Sequence, residues 1–297
     1  MKTLHNYAAL IIIGAIWGGV FPITKIAVST GYKPFGIIMW QMIIGIVLAH
    51  AVMFARGMRP HFRRKDLPIY IGIALLGTVL PNWFSYTASA ELPAGIVSIM
   101  IALVPLFSMP IALFLGFEKF AWVRLLGATC GAVAIGLLIG PEAALPDPTK
   151  IIFVFIMAVA PLLYGMEGNF VTYMGDRGLD PVQVLYGSTI VGLIVATPIV
   201  LLSGQGVSPF QPWGAPIWAI VAAAVLNWIA YVGYVWLIRR TGPVFSSQVA
   251  YLVTGWGVII SMVFLKETYS LWVWAAMGLM LLGVALVRPK KASTAPV

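Results

Sequence analysis

Charge is scarce in this chain. Of its 297 residues only 9% are charged, and only nine are acidic. A soluble domain carries roughly 25% charged residues, and too few polar side chains exist here to cover a water-facing surface. That excludes a soluble enzyme, a disordered chain and a nucleic-acid module. Cysteine is almost missing: Cys130 stands alone, so no disulfide framework can form. The three histidines, His5, His50 and His61, are scattered without metal-ligand spacing, and neither metal nor cofactor is expected. The chain also lacks Gly-x-Ser-x-Gly, His-Glu-x-x-His, a phosphate-cradling loop and an acidic pair within one apolar stretch. A polytopic membrane enzyme and an ATP-driven pump thereby lose their usual signatures.

What is present is apolar: 61% of the residues are hydrophobic. A bilayer-crossing helix needs about 20 apolar residues, each adding about 1.5 Å against a core about 30 Å thick. Ten stretches qualify: Tyr7–Val28, Phe35–Phe54, Pro68–Ala88, Ala94–Gly116, Ala121–Ile139, Ile151–Tyr173, Val182–Leu202, Ala215–Ile238, Val244–Leu265 and Ser270–Val287. Breakers separate them, among them Gly140-Pro141, Pro146-Asp147-Pro148, Gly178-Leu179-Asp180-Pro181 and Gly242-Pro243. No connection is long enough for a second soluble domain. The first stretch is too long for a signal-peptide core and is expected to stay in the protein.

The net charge of +9 reads as an orientation code. With the N-terminus in the cytoplasm, 14 Lys and Arg fall inside, the Arg63-Arg64-Lys65 cluster among them, and 4 fall outside: Lys25, Lys33, Lys150 and Lys266. The positive-inside rule therefore predicts both termini in the cytoplasm.

The chain is also written twice. Trp17-Gly18 with Gly31-x-x-Pro34 returns as Tyr164-Gly165 with Gly178-x-x-Pro181, at an offset of 147. Asn82-Trp83-x-x-Tyr86 returns as Asn227-Trp228-x-x-Tyr231, at 145. Pro93, Glu118 and Trp122-Val123 return as Pro243, Glu267 and Trp272-Val273, at 150, 149 and 150. Five stretches repeat as five. Because five is odd, the second copy enters the membrane from the opposite side. The predicted architecture is an all-α integral membrane protein of ten transmembrane helices in two inverted five-helix repeats, 1–140 and 151–297, joined by a linker over 141–150. Such repeats place a substrate site near the midplane between the halves, exposed to each side in turn.

At this point a family resemblance emerges. Trp17-Gly18, Lys25 and Pro34 resemble the opening of the EamA family of the drug/metabolite transporter superfamily. Leu92-Pro93-Ala94 with Pro105, Glu118 and Gly127 resembles its later block, and Tyr251-Leu252-Val253-Thr254 with Glu267 and Gly278 resembles the same block in the second half. Two positions depart. Gln41 stands where the family often has Arg, which weakens any Arg-based anion site, and Thr254 stands where it often has Pro. The resemblance implies ten helices in inverted repeats and export of small metabolites such as amino acids.

Polar groups are costly in hydrocarbon and tend to face a bundle interior or a wet cavity. Asn82 and Tyr86 are spaced i, i+4 on one helical face, and Asn227 and Tyr231 repeat that face. These four are candidate substrate-binding residues, suited to the ends and side chain of a zwitterion. Trp17 and Tyr164 occupy equivalent positions and join them. Trp83 and Trp228 sit one step round and could pack between helices instead. Ser98 and Gln248, five residues after Pro93 and Pro243, form a further symmetric pair. Gln41 could bond a helix or the substrate. Glu167 is the one acid deep within a stretch, a candidate proton carrier or partner for a substrate ammonium. Lys25 could pair with Glu167 or reach the outer interface. Glu118 and Glu267 read as structural, at helix ends. Pro105, Pro110, Gly255 and Gly257 could interrupt their helices as hinges. Gly127, Gly131 and Gly136, with Gly278 and Gly283, suggest close helix contact, and those last helices could also serve a homodimer.

The expected function is a secondary exporter of small metabolites, foremost amino acids with apolar or aromatic side chains, with the lipid bilayer and a small-molecule substrate as partners and no nucleic acid. The alternatives are a passive pore and, with less support, a polytopic membrane enzyme.

Overall fold

A computed structural model describes residues 2–60, 62–139, 145, 147–175, 178–241 and 248–287. The breakers Gly140-Pro141, Pro146 and Gly242-Pro243, and the start of the ninth apolar stretch, lie outside the described residues. Within them the chain is entirely helical, with no strand. In chain order the α-helices are α1 (Lys2–Val28), α2 (Pro34–Ala55), α3 (Leu67–Ala74), α4 (Leu80–Glu91), α5 (Ala94–Met100), α6 (Val104–Phe114), α7 (Trp122–Ile139), α8 (Ile151–Met174), α9 (Pro181–Ser203), α10 (Ala215–Thr241), α11 (Val249–Phe264) and α12 (Leu271–Val287). Seven helical segments among the described residues are long and apolar enough to cross a membrane, and three shorter apolar helices accompany them.

Proline explains the two interruptions. Pro81 has no N–H to return to the Gly77 carbonyl, and the ladder widens into a π turn over Leu75–Val79 between α3 and α4. Pro105 likewise has no N–H for the Ile101 carbonyl, and a 3₁₀ turn spans Ile101–Leu103 between α5 and α6. The second half keeps its ninth helix straight: α11 runs unbroken through Gly255 and Gly257, so the expected hinge there is not formed. Helix ends are pinned by ordinary chemistry. Asp180 and Gln183 form a capping box at the start of α9, and Gly204 closes that helix at φ +65°. Asp147 caps the short turn before α8, and its bonds from Thr149 hold the carboxyl below its ordinary range.

The helices pack in a regular scheme. Helix α1 lies against α10 and α11, and α8 lies against α4 and α6. Helix α2 packs on α9, α3 on α9, α10 on α2, α5 on α11 and α7 on α12. The largest buried cluster runs from Ile96 through Leu103 to Met157 and Met280. Large apolar side chains such as Phe114 and Leu202, each 90% exposed, face outward. Lipid is as apolar as the core, so helix association rests on close packing rather than on water exclusion. Small residues supply it. A Cβ on Gly283 would lie 2.7 Å from the Gly127 carbonyl oxygen, and one on Gly131 would lie 2.3 Å from Leu106. Gly136 and Gly278 do not follow: a Cβ on either meets nothing within 4 Å. Both are turned away from the α7–α12 contact.

Candidate functional site

A cavity of about 680 Å³ opens between the helices, with a wall drawn from both halves of the chain. Trp17 and Tyr164 reach it from α1 and α8, Asn82 and Tyr86 from α4, and Asn227 and Tyr231 from α10. Glu167 joins them from α8. The structure thus brings seven of the sequence-derived candidates together. Ser98 and Gln248 are not in the wall. Ser98 is fully buried, donates to the Gly95 carbonyl at 2.8 Å, and fills the space beside Gly257. Gln248 stands in the turn before α11.

The polar groups are cross-linked in matched pairs. The Trp17 indole Nε1 donates to Asn227 Oδ1 at 2.7 Å. The Tyr164 hydroxyl donates to Asn82 Oδ1 at 3.2 Å. Trp17 and Tyr164 are repeat equivalents, as are Asn227 and Asn82, so each aromatic reaches the asparagine of the other half. Gln41 then breaks the match. Its Oε1 accepts from the Tyr86 hydroxyl at 2.7 Å and from Asn82 Nδ2 at 3.4 Å. Its counterpart at offset 147 is Ser188, which among the described residues bonds the Leu185 carbonyl of its own helix. Among the described residues Tyr231 has no hydrogen-bond partner.

Glu167 is the second asymmetry, since its counterpart in the first half is Val20. The π turn makes its seat. A Cβ on Gly77 would lie 2.3 Å from Glu167 Oε1, so the carboxylate packs directly against this glycine. No described residue donates a hydrogen bond to that carboxylate, and of the two readings left open for Lys25 the pairing with Glu167 is not formed. Lys25 Nζ donates instead to the carbonyls of Ser89, Ala90 and Leu92 at 2.7, 3.1 and 3.0 Å. It caps the C-terminal end of α4, where the last carbonyls of a helix lack partners. Glu267 does the converse for α5, accepting from the Ala94 and Gly95 amides at 2.8 and 3.1 Å. The α4–α5 turn is therefore held at both ends by charge. Lys25→Met is expected to cost about 1–3 kcal/mol, the range for a hydrogen-bonded charged group, with Lys25→Arg recovering part of it; unchanged thermal unfolding of the Met variant would show the cap to be idle.

Trp228 lines the cavity, whereas Trp83 stacks on Phe35 and meets Phe84 edge-on away from it. Among the described residues, the Thr24 hydroxyl and the Trp228 indole N–H of two wall residues are buried with no hydrogen-bond partner. A further polar link escaped the sequence reading. Asn169 Nδ2 donates to Ser108 Oγ and the Ser108 and Gly165 carbonyls at 2.9, 3.0 and 2.8 Å, tying α8 to α6. Its only signal was an amide two residues beyond Glu167.

A helical, apolar, membrane-spanning protein with a cavity between its halves is the class that this fold and site define. The chain belongs to the EamA-like transporter family, which it matches over residues 6–140 and 151–288. Its relatives include the Escherichia coli (strain K12) protein named "Uncharacterized inner membrane transporter YedA". The two are 23% identical, over 100% of this chain and 96% of the relative. Another is the "Probable terminal-alkyne amino-acid exporter" of Streptantibioticus cattleyicolor, 23% identical over 90% of this chain and 88% of its own. A protein of known crystal structure shares the fold with a TM-score of 0.63 at 18% identity, over 94% of this chain and 96% of that one. The family and the names of these relatives point to a transporter rather than an enzyme.

Proposed function

We propose that this protein sits in the inner membrane with both termini in the cytoplasm and exports small metabolites, amino acids with apolar or aromatic side chains foremost. Ten transmembrane helices form two inverted five-helix halves, 1–140 and 151–297, that expose the central cavity to each side in turn. The observation that carries this reading is the exchange of hydrogen bonds between halves, Trp17 to Asn227 and Tyr164 to Asn82. The helix packing supports it as well. Exchanging each helix for its repeat equivalent turns the α1 contacts with α10 and α11 into the α8 contacts with α4 and α6. The family match in two stretches and the relative named for amino-acid export agree with it.

Asparagine in the cavity offers both a donor and an acceptor, and aromatic walls suit an apolar side chain. Glu167 is the coupling group of this proposal, and Lys25, tied to backbone carbonyls, serves the structure. Saturable uptake of radiolabelled amino acids into proteoliposomes tests the function, and no saturable flux across a broad panel would sink it. Thermal stabilisation by a transported amino acid checks the site. Asn82→Ala and Asn227→Ala are each expected to weaken binding about 10-fold, the worth of one hydrogen bond of about 1.4 kcal/mol. Stabilisation that survives both substitutions would place the substrate elsewhere.

A further inference from the structure

We infer that the cavity selects its substrate by an ammonium group and leaves a substrate carboxylate without a cationic partner, so that aromatic amines and amino amides are bound alongside amino acids. This rests on the exporter reading above and sharpens its substrate class.

The inference comes from which charges reach the wall. Among the described residues no Lys, Arg or His lines the cavity, and its charged groups are Glu118 and Glu167. Glu118 already has an interaction of its own. Glu167 accepts no hydrogen bond from any described residue, and its carboxylate lies against Gly77. Thr24 lies in the wall, but the next residue, Lys25, does not, and its ammonium is spent on three carbonyls. Gln41 occupies the position where an arginine would have reversed the balance, and its oxygen is spent on Tyr86 and Asn82.

The wall therefore holds acidic and neutral polar groups and, among the described residues, no cationic one. A substrate ammonium meets Glu167, with Tyr231 in the same wall. A charge-assisted bond there is roughly twice as strong as a neutral one. The other polar groups of the wall are neutral, Asn227 among them, whose amide nitrogen donates to no described residue. A neutral donor serves an amide carbonyl as well as a carboxylate. An aromatic acid without an ammonium forfeits the bond to Glu167 and finds no cation among the described wall residues to replace it.

The test is binding to the purified full-length protein, read by calorimetry with four probes: L-phenylalanine, L-phenylalaninamide, phenethylamine and 3-phenylpropionate. The amide and the amine are expected to bind within about 5-fold of phenylalanine, and the acid at least about 10-fold more weakly, one tenfold step being about 1.4 kcal/mol. In Glu167→Gln the three ammonium probes are expected to weaken about 10-fold and the acid to stay or tighten. Glu167→Asp keeps the preference in part, which separates charge recognition from misfolding. An acid that binds as tightly as phenylalanine overturns the inference, and so does an amide that binds 10-fold or more below it. In both cases the exporter reading survives, because phenylalanine still binds. If none of the four binds, the aromatic-substrate reading itself fails.

Discussion

Glu167→Gln is expected to abolish accumulation against a gradient while leaving exchange intact. In proteoliposomes with an acidic lumen and a clamped membrane potential, proton efflux should drive substrate inward. A one-unit pH gradient is worth about 1.4 kcal/mol per proton, enough for about tenfold accumulation at one proton per substrate. The variant should reach an accumulation ratio of about 1, because the coupling free energy has no carrier. Counterflow at saturating substrate should persist, because exchange needs only that the site be reachable from both sides. The argument is one of local charge. A bare carboxylate in a poorly hydrated site costs several kcal/mol unless it is matched. No described side chain donates a hydrogen bond to Glu167, Lys25 is committed to Ser89, Ala90 and Leu92, and no described base lines the cavity. The match must then come from a proton or from the substrate. One acid that holds either but not both makes the two compete, which is the requirement for exchange of substrate against proton. Unchanged accumulation in Glu167→Gln would disprove the coupling role of Glu167 and assign it to another group, whereas a ratio of about 1 in the native protein as well would make it a passive facilitator.

The sequence made the elements legible because the bilayer fixes a length and the repeat fixes an offset. Among the described residues the apolar stretches reappear as helical segments, seven of them long enough to cross a membrane and three shorter, and the Asn82 and Asn227 faces turn toward one cavity. What stayed hidden is which partner each group meets, since an offset relates equivalent positions and not touching ones. Trp17 finds Asn227 rather than a neighbour in its own half. The hold of Gln41 on Tyr86 depends on where α2 crosses α4, and no spacing within either helix encodes that. Lys25 sat within reach of two plausible ends, and the three unpaired carbonyls at the end of α4 decided between them. Ser98 and Gln248 matched by offset but not by orientation. Ser98 is turned into the α5–α11 contact, against Gly257. Gly136 and Gly278 misled for the same reason. Small residues permit close approach without requiring it, and these two face away.

Gly18→Leu and Gly165→Leu are expected to be severely damaging to the fold. They occupy the same place in the two repeats, one residue after Trp17 and Tyr164. A Cβ on Gly18 would lie 2.8 Å from both the Gly257 nitrogen and the Val253 oxygen, and 2.9 Å from Trp256 Cβ. A Cβ on Gly165 would lie 2.9 Å from the Ser108 nitrogen and 3.2 Å from Ser108 Cα. Most of these obstacles are backbone, which cannot rotate aside as a side-chain tip can. One extra methyl therefore pushes α1 from α11, or α8 from α6, and overpacking of this kind costs about 1–3 kcal/mol or more. A leucine adds further atoms in the same place and should exceed what a marginal fold of about 5–15 kcal/mol tolerates alongside the lost contacts. The effect reaches the cavity as well, because Trp17 and Tyr164 are carried on the displaced helices. Gly18→Ala and Gly165→Ala should lower the thermal midpoint in detergent by several degrees, and the leucine variants should yield little monodisperse protein. Gly136→Leu and Gly278→Leu, where a Cβ meets nothing within 4 Å, should stay within about 0.5 kcal/mol of the native chain. If the Gly18 and Gly165 variants match those two controls in yield and midpoint, the helices do not approach as closely as the packing described here, and the symmetric role of the two glycines is lost with it.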